Sequence, residues 1–208
     1  MKKRIIIGID GESTAGKSTL AGKLKEALPD AAVIGLDYFC HEKSGKEGEW
    51  WGNSLIGYGF DWERLRDQVI IPFQSGATGI QYDSFNWDTC KGTVRETLPD
   101  CNILIAEGLT VLSREMRDVF DIRIWLTSDR EGQMQRLLDR GDHEMIGYFE
   151  REFFHIAQRY IAEHKPEQAA DIVLNALSMT EADVRTLAGK ILNGVNGNAQ
   201  DIKPARQR

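Results

Sequence analysis

Eight residues near the start of the chain have the types and spacing that hold a chain of phosphates. They run from Gly11 to Ser18, read G-E-S-T-A-G-K-S and fit the pattern G-x-x-x-x-G-K-[ST]. Gly11 and Gly16 permit backbone angles and close approaches that a Cβ atom would forbid, so main-chain N–H groups can point inward at an anion. Lys17 adds a cation for the β- and γ-phosphates, and the Ser18 hydroxyl is a ligand for Mg²⁺. The loop predicts a nucleoside triphosphate site contacted by Gly11, Ser13, Thr14, Ala15, Gly16, Lys17, Ser18 and Thr19.

Two acidic residues directly follow predicted strands. Asp37 comes after Ala32–Leu36 (A-V-I-G-L), and Glu107 comes after Ile103–Ala106 (I-L-I-A). In open parallel sheets the carboxyl ends of the strands line the ligand crevice, and a phosphate-bound Mg²⁺ needs a further carboxylate. We therefore predict that both residues lie at the site. The alternative for either is an acidic cap on a loop.

The elements that must position these residues alternate along the chain. Buried β-branched runs predict strands, and amphipathic stripes between them predict helices. This alternation indicates an α/β fold with a parallel sheet and helices on both faces. One stripe, consisting of Met145, Phe149, Phe153, Ile156 and Tyr160, is interpreted as core without chemistry. The remaining predicted strands are Arg4–Asp10, Ile122–Leu126 and Ile172–Asn175.

The segment 38–98 does not show this alternation of strands and helices and is predicted to be an insertion that shapes a second binding site. It contains four of the five tryptophans and one clear helix, Asp61–Ile71. Aromatic faces can stack on a planar ring of a ligand, or they can form a small core for the insertion itself. Tyr82 and Asp83 are either a hydroxyl-binding pair or part of a surface turn. The aromatic residues concerned are Trp50, Trp51, Tyr58, Phe60, Trp62, Tyr82, Phe85 and Trp87.

Composition sets the remaining limits. The 208 residues suit one domain, predicted at 1–193, followed by a flexible tail at 194–208. The net charge of −6 argues against nucleic acid or an anionic membrane as the main partner. We expect a cytoplasmic protein, because the chain shows no signal peptide or membrane-spanning run and its three cysteines form no C-x-x-C pair. The four histidines show no metal-binding spacing, so no zinc is expected.

Beyond these patterns, the sequence resembles the uridine kinase-like P-loop kinases, which are relatives of phosphoribulokinase and nicotinamide riboside kinase. The resemblance begins with Gly8–Leu20 and Leu36–Phe39 (L-D-Y-F) and continues through Phe60–Leu65 (F-D-W-E-R-L), Tyr82-Asp83, Ile105–Gly108 (I-A-E-G) and Tyr160–Asp171. It implies a single-domain P-loop nucleoside triphosphate hydrolase fold with a five-stranded parallel sheet. It also implies ATP and Mg²⁺ as cofactors and transfer of the γ-phosphoryl group to an alcohol of a small molecule.

The resemblance also implies roles for individual residues. Asp37 matches an aspartate that contacts the acceptor hydroxyl, with Tyr38, Tyr82, Asp83 and Glu107 as further substrate residues. An arginine-bearing lid at about 129–143 is matched by Arg136 and Arg140, with Arg130 a weaker candidate; solvated helix faces are the alternative. The catalytic set is thus Asp37, Lys17, Arg136 and Arg140, and the metal ligands are Ser18 and Glu107.

Other classes remain to be compared with this one. A regulatory GTPase would need an N-K-x-D guanine motif, which no asparagine of the chain begins. A nucleotide-binding protein that uses ATP as a switch without catalysis stays open. Among kinases, a nucleoside-like acceptor is favoured, and nicotinamide riboside, pantothenate and ribulose phosphate remain open.

Overall fold

A computed structural model describes residues 4–41, 59–175 and 178–196. Its strands are β1 (Ile5–Gly11), β2 (Ala31–Gly35), β3 (Gln81–Phe85), β4 (Thr93–Thr97), β5 (Ile103–Glu107), β6 (Ile122–Thr127) and β7 (Ile172–Asn175). Five of them form a central parallel sheet in the order β2-β5-β1-β6-β7, which confirms the predicted fold class. A separate antiparallel pair, β3 and β4, was not predicted.

Helices connect the strands and cover the sheet. Two helical stretches of the described residues contain a π-helical turn: Arg66–Ile70 joins the helices Trp62–Leu65 and Ile71–Gln74, and Phe149–Phe153 joins the helices Ile146–Tyr148 and Phe154–His164. No helix in the described ranges is long and apolar enough to span a bilayer. The helices are α1 (Lys17–Ala27), α2 (Trp62–Leu65), α3 (Ile71–Gln74), α4 (Arg130–Asp139), α5 (Ile146–Tyr148), α6 (Phe154–His164), α7 (Pro166–Ala169) and α8 (Glu181–Asn196).

The two faces of β1 contribute to different cores because side chains alternate along a strand. Ile5, Ile7 and Ile9 belong to a cluster that includes the buried faces of α1 and α8. Ile6, on the opposite face, belongs to a cluster with side chains from the 60–85 region. Every residue of β1 is buried, as expected for a strand between two helical layers. β1 is therefore the central strand of a sheet that is covered on both faces.

The segment between β2 and β5 shares the core of the sheet. Phe39, Leu65, Phe73 and Tyr82 are buried in the same cluster as Leu104 of β5. Sequence periodicity missed the hairpin of β3 and β4, because β4 is exposed along its whole length and lacks an apolar face. Of the predicted insertion, residues 42–58 lie outside the described residues, including Trp50, Trp51 and Tyr58.

The predicted C-terminal tail overlaps the last helix. The prediction placed its start at 194, whereas α8 continues to Asn196. Residues 197–208 lie outside the described residues.

Candidate active site

The loop between β1 and α1 has the backbone geometry that its glycines predict. Gly11 has a φ of 156°, and a Cβ atom there would lie 2.6 Å from the carbonyl oxygen of Leu126. Gly16 is left-handed, with a φ of 91°, and forms the N-cap of α1. Within the described residues no side chain caps this helix, so its first N–H groups have no side-chain partner at the cap. An uncapped helix start beside a glycine-rich bend is a site for an anion.

The other residues of the loop divide between ligand-facing and structural positions. Ser13, Thr14 and Gly16 line the adjoining cleft together with Lys17 and Ser18. Ala15 is buried, and its N–H donates to the carbonyl oxygen of Glu12 at 3.1 Å, so it is engaged within the loop itself. The loop therefore presents most of its predicted contact residues to one cavity. Thr19 lies instead at a second cavity, described below.

Lys17 and Ser18 link the loop to the carboxylates of the site. The Lys17 ammonium donates to the carbonyl oxygens of Gly11 at 3.0 Å and Glu12 at 2.8 Å. The Ser18 hydroxyl donates to the Oε1 atom of Glu107 at 3.1 Å. The two predicted metal ligands, Ser18 and Glu107, are thus in direct contact.

Strand register explains why the acidic residues meet the loop. Glu107 of β5 is level with Ile9 of β1 on one side and with Gly35 of β2 on the other. Asp37 follows β2 in a short 3₁₀ turn, Leu36–Phe39, so it emerges at the same edge of the sheet. Because the strands are parallel, their carboxyl ends meet at one edge, as the sequence predicted.

Burial and neighbouring charges shift the pKa values of the charged groups at the site. Burial lowers the pKa of Lys17, and the negative charges of Asp10, Glu107 and Asp37 oppose that shift. Burial raises the pKa of Glu107; the positive charge of Lys17 opposes this shift, and the negative charge of Asp37 adds to it. Burial among the cleft walls likewise raises the pKa of Asp37, although its side chain remains open to the cleft, and Lys17 again opposes the shift. A carboxylate with a raised pKa is a better proton acceptor.

A cleft of about 390 Å³ joins these groups to an aromatic wall. The polar side consists of the loop, Asp37, Glu107 and Arg140, and the apolar side includes Phe60, Trp87, Phe149 and Phe153. The Trp87 indole N–H donates to the main-chain oxygen of Asp37 at 3.2 Å. This bond places an aromatic ring beside the predicted acceptor-binding carboxylate.

The helix α4 carries the predicted lid arginines and contacts the loop directly. An Arg136 guanidinium nitrogen donates to the main-chain oxygen of Thr14 at 2.8 Å, and the Thr14 hydroxyl donates to the main-chain oxygen of Gln133 at 3.1 Å. The Gln133 amide donates to the Glu12 carboxylate. Arg140 borders both the cleft and a second cavity of about 340 Å³, and Gly16 of the loop also lines both.

The predicted substrate residues of β3 lie elsewhere. Tyr82 is buried and its ring stacks on Phe39, with the ring centres 5.6 Å apart. Asp83 accepts a hydrogen bond from Gln68 at 3.0 Å and pairs with Arg95 at 3.2 Å. Among the described residues bordering the cleft, neither appears. They form part of a strand and not a surface turn, and the structure does not bring them to the loop.

The other two candidates from the resemblance also lie outside the cleft wall. Tyr38 is 42% exposed next to Asp37. Arg130 lies over the ring of Phe154, 4.7 Å from its centre.

Sequence reasoning missed several residues of the site. Phe149 and Phe153 belong to a buried cluster, as predicted for a core stripe, but they also border the cleft. Helical spacing does not distinguish these two situations, because both need an apolar face. Asp10 and Gln133 were overlooked for another reason: nothing in their spacing indicates that they are buried beside the loop. The charge of Asp10 inside a buried strand was the one available signal.

Known proteins that are similar to this chain include uridine kinases. No protein-family model matches the chain. Uridine kinase of Chlamydia pneumoniae is 26% identical over 206 residues, covering 93% of this chain and 91% of that protein. Inorganic pyrophosphatase TTM2 of Arabidopsis thaliana is 26% identical over 198 residues, which cover 92% of this chain but 26% of that longer protein. A solved structure of a possible uridine kinase from Bacillus stearothermophilus superposes with a TM-score of 0.63 at 22% identity, covering 84% of this chain and 90% of that one.

In its fold, its phosphate loop and its sequence the chain is similar to P-loop kinases. Within that class the chain is uridine kinase-like.

Proposed function

We propose that this protein transfers the γ-phosphoryl group of ATP to a hydroxyl of a nucleoside-like acceptor. The observation that carries the proposal is one cleft in which the phosphate loop, two carboxylates and an aromatic wall face one another. Phosphoryl transfer proceeds through a highly charged transition state, so positioning and electrostatic stabilisation supply most of the catalysis. This cleft offers groups for both.

Two cavities adjoin the loop and suit the two substrates. In the second cavity Thr19, Arg136 and Met179 would enclose the nucleoside part of ATP, with the triphosphate running through the loop toward Lys17. Arg136 and Arg140 would neutralise phosphate oxygens and exclude water when α4 closes as a lid. The cleft with Asp37 and Trp87 would then hold the acceptor.

The residues present fit Mg²⁺. The ion prefers oxygen ligands, keeps several waters, and binds through one or two carboxylates together with substrate phosphates. Ser18 and Glu107 supply such oxygens side by side. Phosphate oxygens and water would complete the coordination of the ion. When bound, the metal would neutralise charge on the phosphates.

Asp37 is the residue proposed to activate the acceptor. Its carboxylate would accept a hydrogen bond from the acceptor hydroxyl, orient it toward the γ-phosphorus and take its proton late in the transfer. The raised pKa of Asp37, caused by burial, favours this role. Lys17 would meanwhile hold the transferred group from the opposite side.

The aromatic wall favours an acceptor with a planar ring. Phe60 and Trp87 can stack on or cover such a ring, which a sugar phosphate would not need. Similarity to uridine kinase supports a nucleoside, and nicotinamide riboside shares the same ring-and-ribose plan. Pantothenate and ribulose phosphate remain acceptors for the test. The thiols of Cys90 and Cys101, which form no disulfide, agree with a cytoplasmic enzyme.

Release of ADP from ATP and Mg²⁺, measured over a panel of hydroxyl compounds, tests the proposal. We expect nucleosides to stimulate ADP release most strongly. The substitution Asp37→Asn should lower the stimulated turnover by about 100-fold or more and leave the affinity for ATP nearly unchanged. Asp67→Asn is the matched control, because Asp67 is exposed and pairs with Arg66 away from the cleft. If no compound stimulates release, the protein is a nucleotide-dependent switch and not a kinase.

A further inference from the structure

A buried charge at the end of β1 has no role in the proposed reaction. Asp10 immediately precedes the phosphate loop, and no part of it is exposed to solvent. An isolated carboxylate is costly to bury unless polar groups surround it. The partners of Asp10 therefore indicate what the residue does.

Four donors from three segments converge on this carboxylate. Its Oδ1 atom accepts hydrogen bonds from the N–H groups of Gly11 at 2.6 Å and Thr110 at 3.2 Å. Its Oδ2 atom accepts from the N–H of Leu112 at 2.8 Å and from the hydroxyl of Tyr160 at 2.5 Å. One side chain thus ties the phosphate loop to the segment after β5 and to α6.

The segment after β5 needs such an anchor. Thr110 has a φ of 79°, a left-handed backbone that residues with a branched side chain rarely adopt. Strain of this kind persists only where surrounding contacts hold it, and it is common at functional sites. A second contact, from the Trp62 indole N–H to the Thr110 hydroxyl at 3.2 Å, holds the same residue. The segment begins directly after Glu107 and includes Leu109, which borders the cleft.

Tyr160 completes the anchor from the opposite side. It is fully buried on α6, and its hydroxyl is the single side-chain donor among the four groups that contact Asp10 within the described residues. The hydrogen bonds thus join Asp10 both to the phosphate loop and to the segment that follows Glu107.

We propose that Asp10, supported by Tyr160, is a positioning residue that holds the segment after β5 against the phosphate loop and so keeps Glu107 opposite Ser18. This inference rests on the proposed function, because Glu107 and Ser18 are its metal ligands. Asp10 itself touches neither substrate nor metal in this arrangement. Its effect passes through the main chain of residues 108–112.

The substitution Asp10→Asn tests the anchor with almost no change in volume. An amide has one accepting oxygen and a donating NH₂ group in place of the second. If the amide oxygen of the new side chain faces Gly11 and Thr110, its NH₂ group faces Tyr160 and Leu112. The Tyr160 hydroxyl can rotate and accept a hydrogen bond from this NH₂ group, but the N–H of Leu112 cannot, because it is itself a donor. The variant should therefore release the segment at Leu112 and leave the loop bonded.

Titration calorimetry with ATP, in the presence and absence of Mg²⁺, gives a readout apart from activity. In Asp10→Asn we expect ATP without metal to bind within about threefold of the wild-type affinity, since the loop and Lys17 remain. The gain in affinity that Mg²⁺ adds should fall by about tenfold. Acceptor-stimulated turnover should fall by about 10- to 100-fold, because a small misplacement of catalytic groups has effects of that size.

A second variant covers the case in which Asp10→Asn does not fold. Tyr160→Phe keeps the buried ring and removes one of the four donors, so the same two quantities should fall in the same direction by about threefold. Asp67→Asn should change neither. If both variants lose thermal stability but keep the wild-type Mg²⁺ gain and turnover, the anchor is purely structural and the inference is overturned. If the wild-type protein shows no Mg²⁺-dependent ATP binding, the proposed function fails and this inference fails with it.

Discussion

The ionised state of Asp10 should make the stability of the protein depend on pH in a way that one substitution removes. Burial raises the pKa of Asp10 from 3.8 to about 6, against the opposing effects of Tyr160, Leu112, Lys17 and Gly11. The folded protein therefore binds this proton more tightly than the unfolded chain does. The contribution of Asp10 to stability is greatest below about pH 4 and is lost as the pH rises through 6.

The size of the effect follows from the shift. Each pKa unit corresponds to about 1.4 kcal/mol, so the whole shift is worth about 3 kcal/mol. Integrating the two titrations, about 2 kcal/mol of this falls between pH values of about 4.5 and 7.5. Relative to Asp10→Asn, which carries no charge at either pH, the wild-type protein should lose about 2 kcal/mol of unfolding free energy over that interval.

Urea denaturation followed by tryptophan fluorescence, at several pH values across this range, measures the difference. Glu12, Asp37 and Glu107 also have pKa values raised by burial, but both proteins contain them, so their common contribution cancels. Parallel stability curves, separated by a constant within about 0.5 kcal/mol, would refute the reasoning. That result would mean that the four donors cancel the effect of burial and hold the carboxylate ionised down to low pH.

Three further expectations concern other parts of the structure. Gly108→Ala should destabilise the fold by about 1–3 kcal/mol, because the new Cβ atom would lie 2.6 Å from the Cβ atom of Leu36. Gly189→Ala in α8 is the matched control: its Cβ atom meets no other atom, so it should stabilise the fold by about 0.5–1 kcal/mol. Chemical denaturation measures both changes in unfolding free energy. Arg123→Ala should lower the free energy of unfolding by about 3 kcal/mol, because the buried Asp171 carboxylate would lose two hydrogen bonds from the guanidinium, at 3.0 and 3.1 Å. An unchanged melting curve would contradict this expectation. Trp87→Ala should raise the KM for a ring-bearing acceptor about tenfold and Trp87→Phe less, measured by ADP release; equal effects of both would argue against stacking.

The phosphate loop and the strands were predictable because their signals are local. A buried β-branched run must be followed by a bend, and the glycine and lysine positions of that bend define its ligand. Glu107 and Asp37 were placed at the site by a single topological rule, that parallel strands end at one edge. Strand register then brings Glu107 level with Gly35, as that rule requires.

Other expectations depended on contacts that spacing does not encode. Tyr82 and Asp83 were predicted beside the acceptor, but β3 pairs with β4 and turns Tyr82 into the core against Phe39. The aromatic residues Phe149 and Phe153 were interpreted as core, yet the π-helical turn that contains them also borders the cleft. In both cases an apolar residue has the same local pattern whether it meets protein or ligand.

By itself the sequence determined the class of chemistry: a loop that binds phosphates, two carboxylates at strand ends and an α/β framework to hold them. Tertiary structure alone decided how those parts are held in place, because Asp10 and Tyr160 are 150 residues apart and meet only when α6 packs over the end of β1. Local patterns report which groups a chain carries and which face of an element is buried. The convergence of four donors on one carboxylate depends on long-range packing, and no short segment of the chain contains it.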